Sequence, residues 1–186
     1  MNQVASRLSL QEFLALPQSS DRYELVDGKL VAKMNPTTPH SRVQKRLLRL
    51  IDDWCDKTDI GEVNPEWAVA LVRRGVDWSP VPDLTYISSD RVPANWDGEG
   101  VCPGIPLLVV EILSPGQSFG QMTQKATDYL LAGIDRVWVV DTTAQSITVF
   151  QRDSLPQTFW SDGTIEDPLL PDFVLPVSRL FAKRGE

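Results

Sequence analysis

Soft metal ligands are scarce in this chain: two cysteines and one histidine in 186 residues. Cys55 and Cys102 stand in unrelated contexts without a C-x-x-C, and His40 has no H-x-x-x-H partner, so nitrogen and sulfur cannot assemble an ordinary structural zinc site. Any metal must therefore be held mainly by oxygen. Long apolar runs are missing too: none approaches the ~18 residues that a membrane helix requires, which argues against membrane insertion. No basic and apolar leader pattern opens the sequence, so a cytoplasmic protein with free, buried thiols is expected. Positive charge is in deficit, with 18 Lys+Arg against 25 Asp+Glu and a net charge of −7, which excludes a passive basic coat for nucleic acid. There is no G-x-S-x-G elbow, no G-x-x-x-x-G-K-[ST] loop and no G-x-G-x-x-G fingerprint. A Ser-His-Asp triad would have to be built on His40 with a serine that no local motif marks.

What is present is an ordinary globular composition, 42% apolar and 23% charged. No repeat, low-complexity stretch or linker divides the chain, so one domain spanning 1–186 is expected. A capping box, Ser9 with Glu12, predicts a short helix over 9–16 that Pro17 helps to stop. Asp27-Gly28 between 22–26 and 29–33 predicts a hairpin with a two-residue turn. Over 38–55, Val43, Leu47, Leu50, Ile51 and Trp54 recur at helical spacing, with Arg42, Lys45, Arg46 and Arg49 on another face. At about 100° per residue, His40 projects close to the apolar stripe. Strands are expected over 67–72, 83–87, 107–113, 137–140 and 147–152, with a helix over 121–131 stopped at Gly133. Turn signals at Asp162-Gly163, Pro168, Pro171 and Pro176 predict an ending of one short strand, bends and a helical turn.

Two acids stand out against this pattern. Asp83 opens one apolar strand, and Glu111 interrupts another whose neighbours are apolar on both faces. A carboxylate placed there must be compensated, either by a buried Lys or Arg or by a divalent cation shared between acids on adjacent strands. A shared ion of this kind suits Mg²⁺, which prefers oxygen ligands and retains water, and metal-assisted hydrolysis of a phosphodiester follows from that chemistry. Lys125 shares a helical stripe with Met122, Ala126 and Tyr129, apart from the polar face of Gln124 and Asp128. It either snorkels to water or supplies an ammonium beside the acids. Glu24, on the hairpin, reads from the residues alone as a solvated acid paired with Arg22 or Lys29. His40, a lone histidine near an apolar face, reads from the residues alone as a satisfied core residue. The basic helix face and the tip Arg73-Arg74-Gly75 are either solvated or phosphate-contacting. Asp141 ends a strand and caps a turn. A glycosidase would use paired acids but leaves Lys125 unexplained.

The ordered set Tyr23-Glu24-Leu25-Val26-Asp27-Gly28, Pro39-His40, Val81-Pro82-Asp83, Val110-Glu111-Ile112-Leu113-Ser114-Pro115, Lys125 with Tyr129 and Gly133, and Trp138-Val139-Val140-Asp141 resembles the Putative restriction endonuclease domain family. That bacterial family falls within the PD-(D/E)XK nuclease superfamily, and the resemblance runs over about 9–180. It implies an α/β (mixed α+β) fold with a central mixed sheet flanked by helices, preceded here by an amino-terminal helix and hairpin. It also implies an endonuclease acting on DNA with Mg²⁺ or Mn²⁺, the metal held by Asp83, Glu111 and the backbone carbonyl of Ile112, and catalytic roles for Asp83, Glu111, Lys125, Glu24 and His40. Where the superfamily usually has a lysine two residues after the second acid, this chain has Leu113, and the resemblance moves that role to Lys125 on the following helix. Cutting both strands of a duplex needs two sites, so a homodimer is implied. A nuclease-like module that binds or assembles without turnover, and a hydrolase of RNA, are the alternatives.

Overall fold

The structure is a computed structural model that describes residues 7–16 and 23–182; Pro17 and Arg22 lie outside them. The chain begins with α1 (Leu10–Leu14), entered through the expected Ser9–Glu12 capping box. Strands β1 (Tyr23–Val26) and β2 (Lys29–Ala32) form the expected hairpin, with Asp27 and Gly28 at φ 52° and 75°. Gly28 is required there twice over, by its positive φ and because a Cβ would stand 2.5 Å from the Arg7 side chain. The long helix α2 (Thr38–Thr58) starts on the Thr37 side chain and ends at Asp59 in the left-handed conformation, three residues beyond the stretch read from the sequence.

A six-stranded mixed sheet follows. Its strands are β3 (Gly61–Pro65), β6 (Leu84–Ser88), β7 (Leu108–Ile112), β8 (Arg136–Asp141), β9 (Ser146–Gln151) and β10 (Gln157–Phe159), in the order β10-β9-β8-β7-β6-β3. Only β7 and β8 run parallel, and helix α3 (Phe119–Leu131) makes the crossover between them. A small hairpin, β4 (Leu71–Arg73) and β5 (Val76–Trp78), precedes β6, and a second, β11 (Thr164–Asp167) and β12 (Leu170–Pro176), precedes α4 (Ser178–Phe181). The result is a mixed α+β fold with a central mixed sheet flanked by helices.

Alternation along the strands makes two apolar layers. Leu108, Val110 and Ile112 of β7 join Val43, Leu47, Ile51 and Trp54 of α2 in one. Val109 joins Met122, Ala126 and Tyr129 of α3 in the other, together with Trp78. By the same alternation Glu111 belongs to the α3 face. Cys55 and Cys102 are buried, free thiols, one in each layer.

Several expectations are corrected. Residues 67–72 are not a strand: that stretch makes only an isolated bridge at Val69 and enters β4 at Leu71. The expected tip at Arg73-Arg74-Gly75 is the β4–β5 turn, Arg74 and Gly75 having positive φ. Strand β3 has no counterpart in the sequence reading, and the ending holds three strands where one was expected. Asp128 is buried, not on a polar face, because Arg73 (3.4 Å), Arg74 (3.3 Å) and Gln124 (3.3 Å) surround it. Arg46 leaves the solvated basic face to donate to the carbonyls of Leu180 (2.8 Å) and Ala182 (2.6 Å), tying α2 to the carboxyl-terminal segment. Among the described residues no helix is long and apolar enough to cross a membrane.

Candidate functional site

Antiparallel pairing of β6 with β7 sets Leu84 opposite Val110. Just ahead of Leu84 comes Asp83 and just after Val110 comes Glu111, both buried, so the two acids fall at the same end of the sheet, near enough for the charge of Asp83 to act on Glu111. At that end the ladder is closed by a side chain, because Ile112 donates its N–H to Asp83 Oδ2 at 2.6 Å. The Asp83 backbone is held as well, its carbonyl accepting from Gln44 Nε2 (2.9 Å) and from the Glu66 N–H (3.2 Å).

Around Asp83 Oδ1 lie Lys33 Nζ at 2.8 Å and His40 Nε2 at 3.4 Å. His40 is buried, and its Nδ1 is 3.2 Å from Ser114 Oγ, so the ring bridges the loop after β7 to Asp83. A carboxylate only accepts, so Nε2 is the nitrogen that carries a proton toward Asp83. Lys33 also donates to the Val81 carbonyl (2.8 Å) and to Glu66 Oε2 (3.2 Å). Glu66 is turned into this network by a left-handed backbone, φ 54°, and also accepts from Gln44. Burial works against charge on Asp83, yet the hydrogen bond from His40 and the Lys33 ammonium hold its carboxyl below the ordinary value.

Glu111 has a different surrounding. Its Oε1 accepts from Tyr129 Oη at 2.6 Å and lies 2.9 Å from Lys125 Nζ. Lys125 also reaches Glu24 Oε1 at 3.0 Å, and that same oxygen accepts the Val81 N–H at 3.0 Å. Glu24 therefore joins the acidic cluster, and its partner is Lys125 in place of Lys29. Burial pushes the Glu111 carboxyl up, with Asp83 and Glu24 adding to the rise and Lys125 opposing it. Burial also opposes the charge on Lys125, but the Glu111 and Glu24 carboxylates overcome it and hold the ammonium well above its ordinary value. Tyr129 is raised by burial and by Glu111 beside it, so it stays a donor.

The two lysines are not equivalent. An ammonium has three N–H bonds. Those of Lys33 meet three acceptors, whereas Lys125 meets two carboxylates, which leaves one N–H uncommitted among the described residues. The cluster holds four carboxylates, Glu24, Glu66, Asp83 and Glu111, against two ammonium groups. That excess of negative charge, with burial straining Glu111, fits a divalent cation. Among the described residues no three His, Cys, Asp or Glu side chains gather as a ready cation cage, so any ion on Asp83 and Glu111 would take its remaining ligands from backbone oxygen or water. What the structure places on Asp83 is the Ile112 N–H.

Of the residues singled out in the sequence, Asp83, Glu111, Ile112, Lys125, Glu24 and His40 come together here. Arg42, Lys45 and Arg49 stay exposed on α2, and Asp141 caps its own turn by accepting from Thr143 and Ala144. Lys33, Gln44 and Glu66 were missed. Their signal was faint: Gln44 is one turn of helix after His40, and Lys33 follows an exposed hairpin strand.

No curated protein matches the chain. The fold is similar to a solved structure described as "a putative nuclease belonging to DUF820" from Anabaena variabilis ATCC 29413. The TM-score is 0.80 at 25% sequence identity, over 94% of this chain and 97% of that one. The family model Uma2, described as "Putative restriction endonuclease", matches residues 10–178, and the chain belongs to that family.

Proposed function

We propose that this protein is a Mg²⁺- or Mn²⁺-dependent endonuclease that hydrolyses DNA phosphodiester bonds. The observation that carries the reading is the buried acidic cluster: Asp83, just ahead of β6, is tied to Ile112 of β7, and Glu111 of β7 pairs with Lys125, whose ammonium keeps an N–H to offer among the described residues. Asp83, Glu111 and the Ile112 carbonyl would hold the ion. The chemistry such an ion supplies is activation of water and neutralisation of charge on phosphate. Lys125 donates its remaining N–H to a phosphate oxygen, a bond that strengthens as negative charge builds there. Glu24 and Glu111 keep that ammonium protonated and aimed. His40, Ser114 and the Ile112 N–H hold the Asp83 carboxylate in one orientation, and Tyr129 does the same for Glu111. Exposed Arg42, Lys45 and Arg49 offer phosphate contacts, and the overall charge of −7 makes affinity for DNA weak and salt-sensitive. Cytoplasmic location and a homodimer that cuts both strands belong to the same reading.

One observation favours a second reading, a nuclease-like module without turnover: Asp83 and Glu111 each already have a lysine partner. Cleavage assays with Mg²⁺ or Mn²⁺ on single-stranded, duplex and branched DNA and on RNA decide between the two and fix the substrate. DNA cleavage that disappears in Asp83→Ala is expected. Cleavage that persists in the variant points to a contaminant, and no cleavage of any substrate supports the module.

A further inference from the structure

Lys33 is the cation of the cluster that the nuclease reading leaves without a task. Its three N–H bonds are all committed, to Asp83 Oδ1 (2.8 Å), the Val81 carbonyl (2.8 Å) and Glu66 Oε2 (3.2 Å), so it has none to offer a phosphate. It sits on the very carboxylate that would ligate a cation, while the other oxygen of that carboxylate is held by the Ile112 N–H. An ammonium at Oδ1 and a divalent ion on the same carboxylate repel at short range in a site shielded from water. The lysine is also placed to leave. It follows β2, every residue of which is exposed, and among the described residues β2 pairs only with β1, so Lys33 can swing outward without unpacking either apolar layer.

We propose that Lys33 is a resident counter-ion of Asp83 that a divalent cation must displace, so that the Lys33–Asp83 pair and metal binding exclude one another. This rests on the metal-dependent reading. In the metal-free protein Lys33 compensates the buried carboxylate and keeps Asp83, Glu66 and the Val81 carbonyl together. In the loaded protein that compensation passes to the ion, and the lysine turns to Glu66 or to solvent. The ion pair thus lowers the apparent affinity of the site for metal.

Calorimetric or spin-resonance titration of the purified chain with Mn²⁺ tests this without any measurement of cleavage. Lys33→Gln keeps two N–H donors and removes the charge, and it is expected to bind Mn²⁺ about tenfold more tightly than the parent chain. Lys33→Arg, which keeps the charge, is expected to bind like the parent. Weaker or equal binding by Lys33→Gln, with the parent binding well, would show that the lysine supports the ligands and would overturn the proposal alone. No binding by parent or variant overturns the metal-dependent reading beneath it. Should Lys33→Gln fail to fold, the parent chain labelled with ¹⁵N-lysine decides the matter. The Lys33 ammonium resonance must shift on addition of Mg²⁺, and an unmoved resonance at saturating Mg²⁺ overturns displacement.

Discussion

At the scale of single residues, two acids in adjacent positions were given opposite environments. Asp83 is surrounded by donors, the Ile112 N–H, Lys33 and His40, and its carboxyl is held low. Glu111 is buried as well but shares its lysine with Glu24, and its carboxyl is pushed up. Lys125 is therefore the only ammonium within ion-pair distance of Glu111 among the described residues, and removing it strands two carboxylates. Lys125→Met should cost about 3–5 kcal/mol of stability at neutral pH. The same change made in a Glu111→Gln background should cost less, because only Glu24 is then left without its ammonium. Urea unfolding of the four proteins measures the coupling, and equal costs in the two backgrounds would mean that Lys125 and Glu111 do not pair in solution. Asp83, Glu111 and Lys125 were legible in the sequence because each breaks an apolar pattern, and a charge inside such a pattern demands a partner. Lys33 breaks no pattern. It comes to Asp83 through the fold of the hairpin over fifty positions of sequence, a placement that periodicity does not encode.

At the scale of elements, α2, α3 and the inner strands were legible because they bury one stripe or both faces, and α1 and the first hairpin because a capping box and an Asp-Gly turn mark them; outer pieces without such marks were not. Strand β3, Gly-Glu-Val-Asn-Pro, buries only Val63 and carries a proline at its end, so neither alternation nor β-propensity marks it. It exists because β6 offers an edge: the pair runs from Gly61 opposite Ser88 to Pro65 opposite Leu84, and its end delivers Glu66 to Lys33 and Gln44. Its closest approach is at Gly61, where a Cβ would lie 2.4 Å from the Ile87 carbonyl oxygen and 2.7 Å from the Tyr86 ring. The carbonyl belongs to the sheet and cannot yield. Gly61→Ala is accordingly expected to lose about 1–3 kcal/mol. In a chain of this size each kcal/mol lowers Tm by about 2–4 °C. A thermal melt unchanged from the parent would show that β3 does not hold this register.

At the scale of the whole molecule, the sheet has an apolar layer on each face, and the site lies where strands from its middle come out between α2 and α3. Keeping Asp83 beside Glu111 requires both layers, because His40 and Gln44 come from α2 while Lys125 and Tyr129 come from α3. We propose that the two layers form one cooperative unit, and the cysteines report on it. Cys55 lies in the α2 layer and Cys102 in the α3 layer, and burial pushes their thiols up to about 12 and about 11. Both are protonated and shielded at pH 8, so neither should react with an aromatic disulfide reagent in the native protein. Along a urea gradient, single-cysteine variants at either position should become reactive at the same midpoint if the layers open together. Separate midpoints would mean that one face of the sheet can be stripped while the other stands. The acids would then lose half of their supporting contacts before the chain as a whole unfolds.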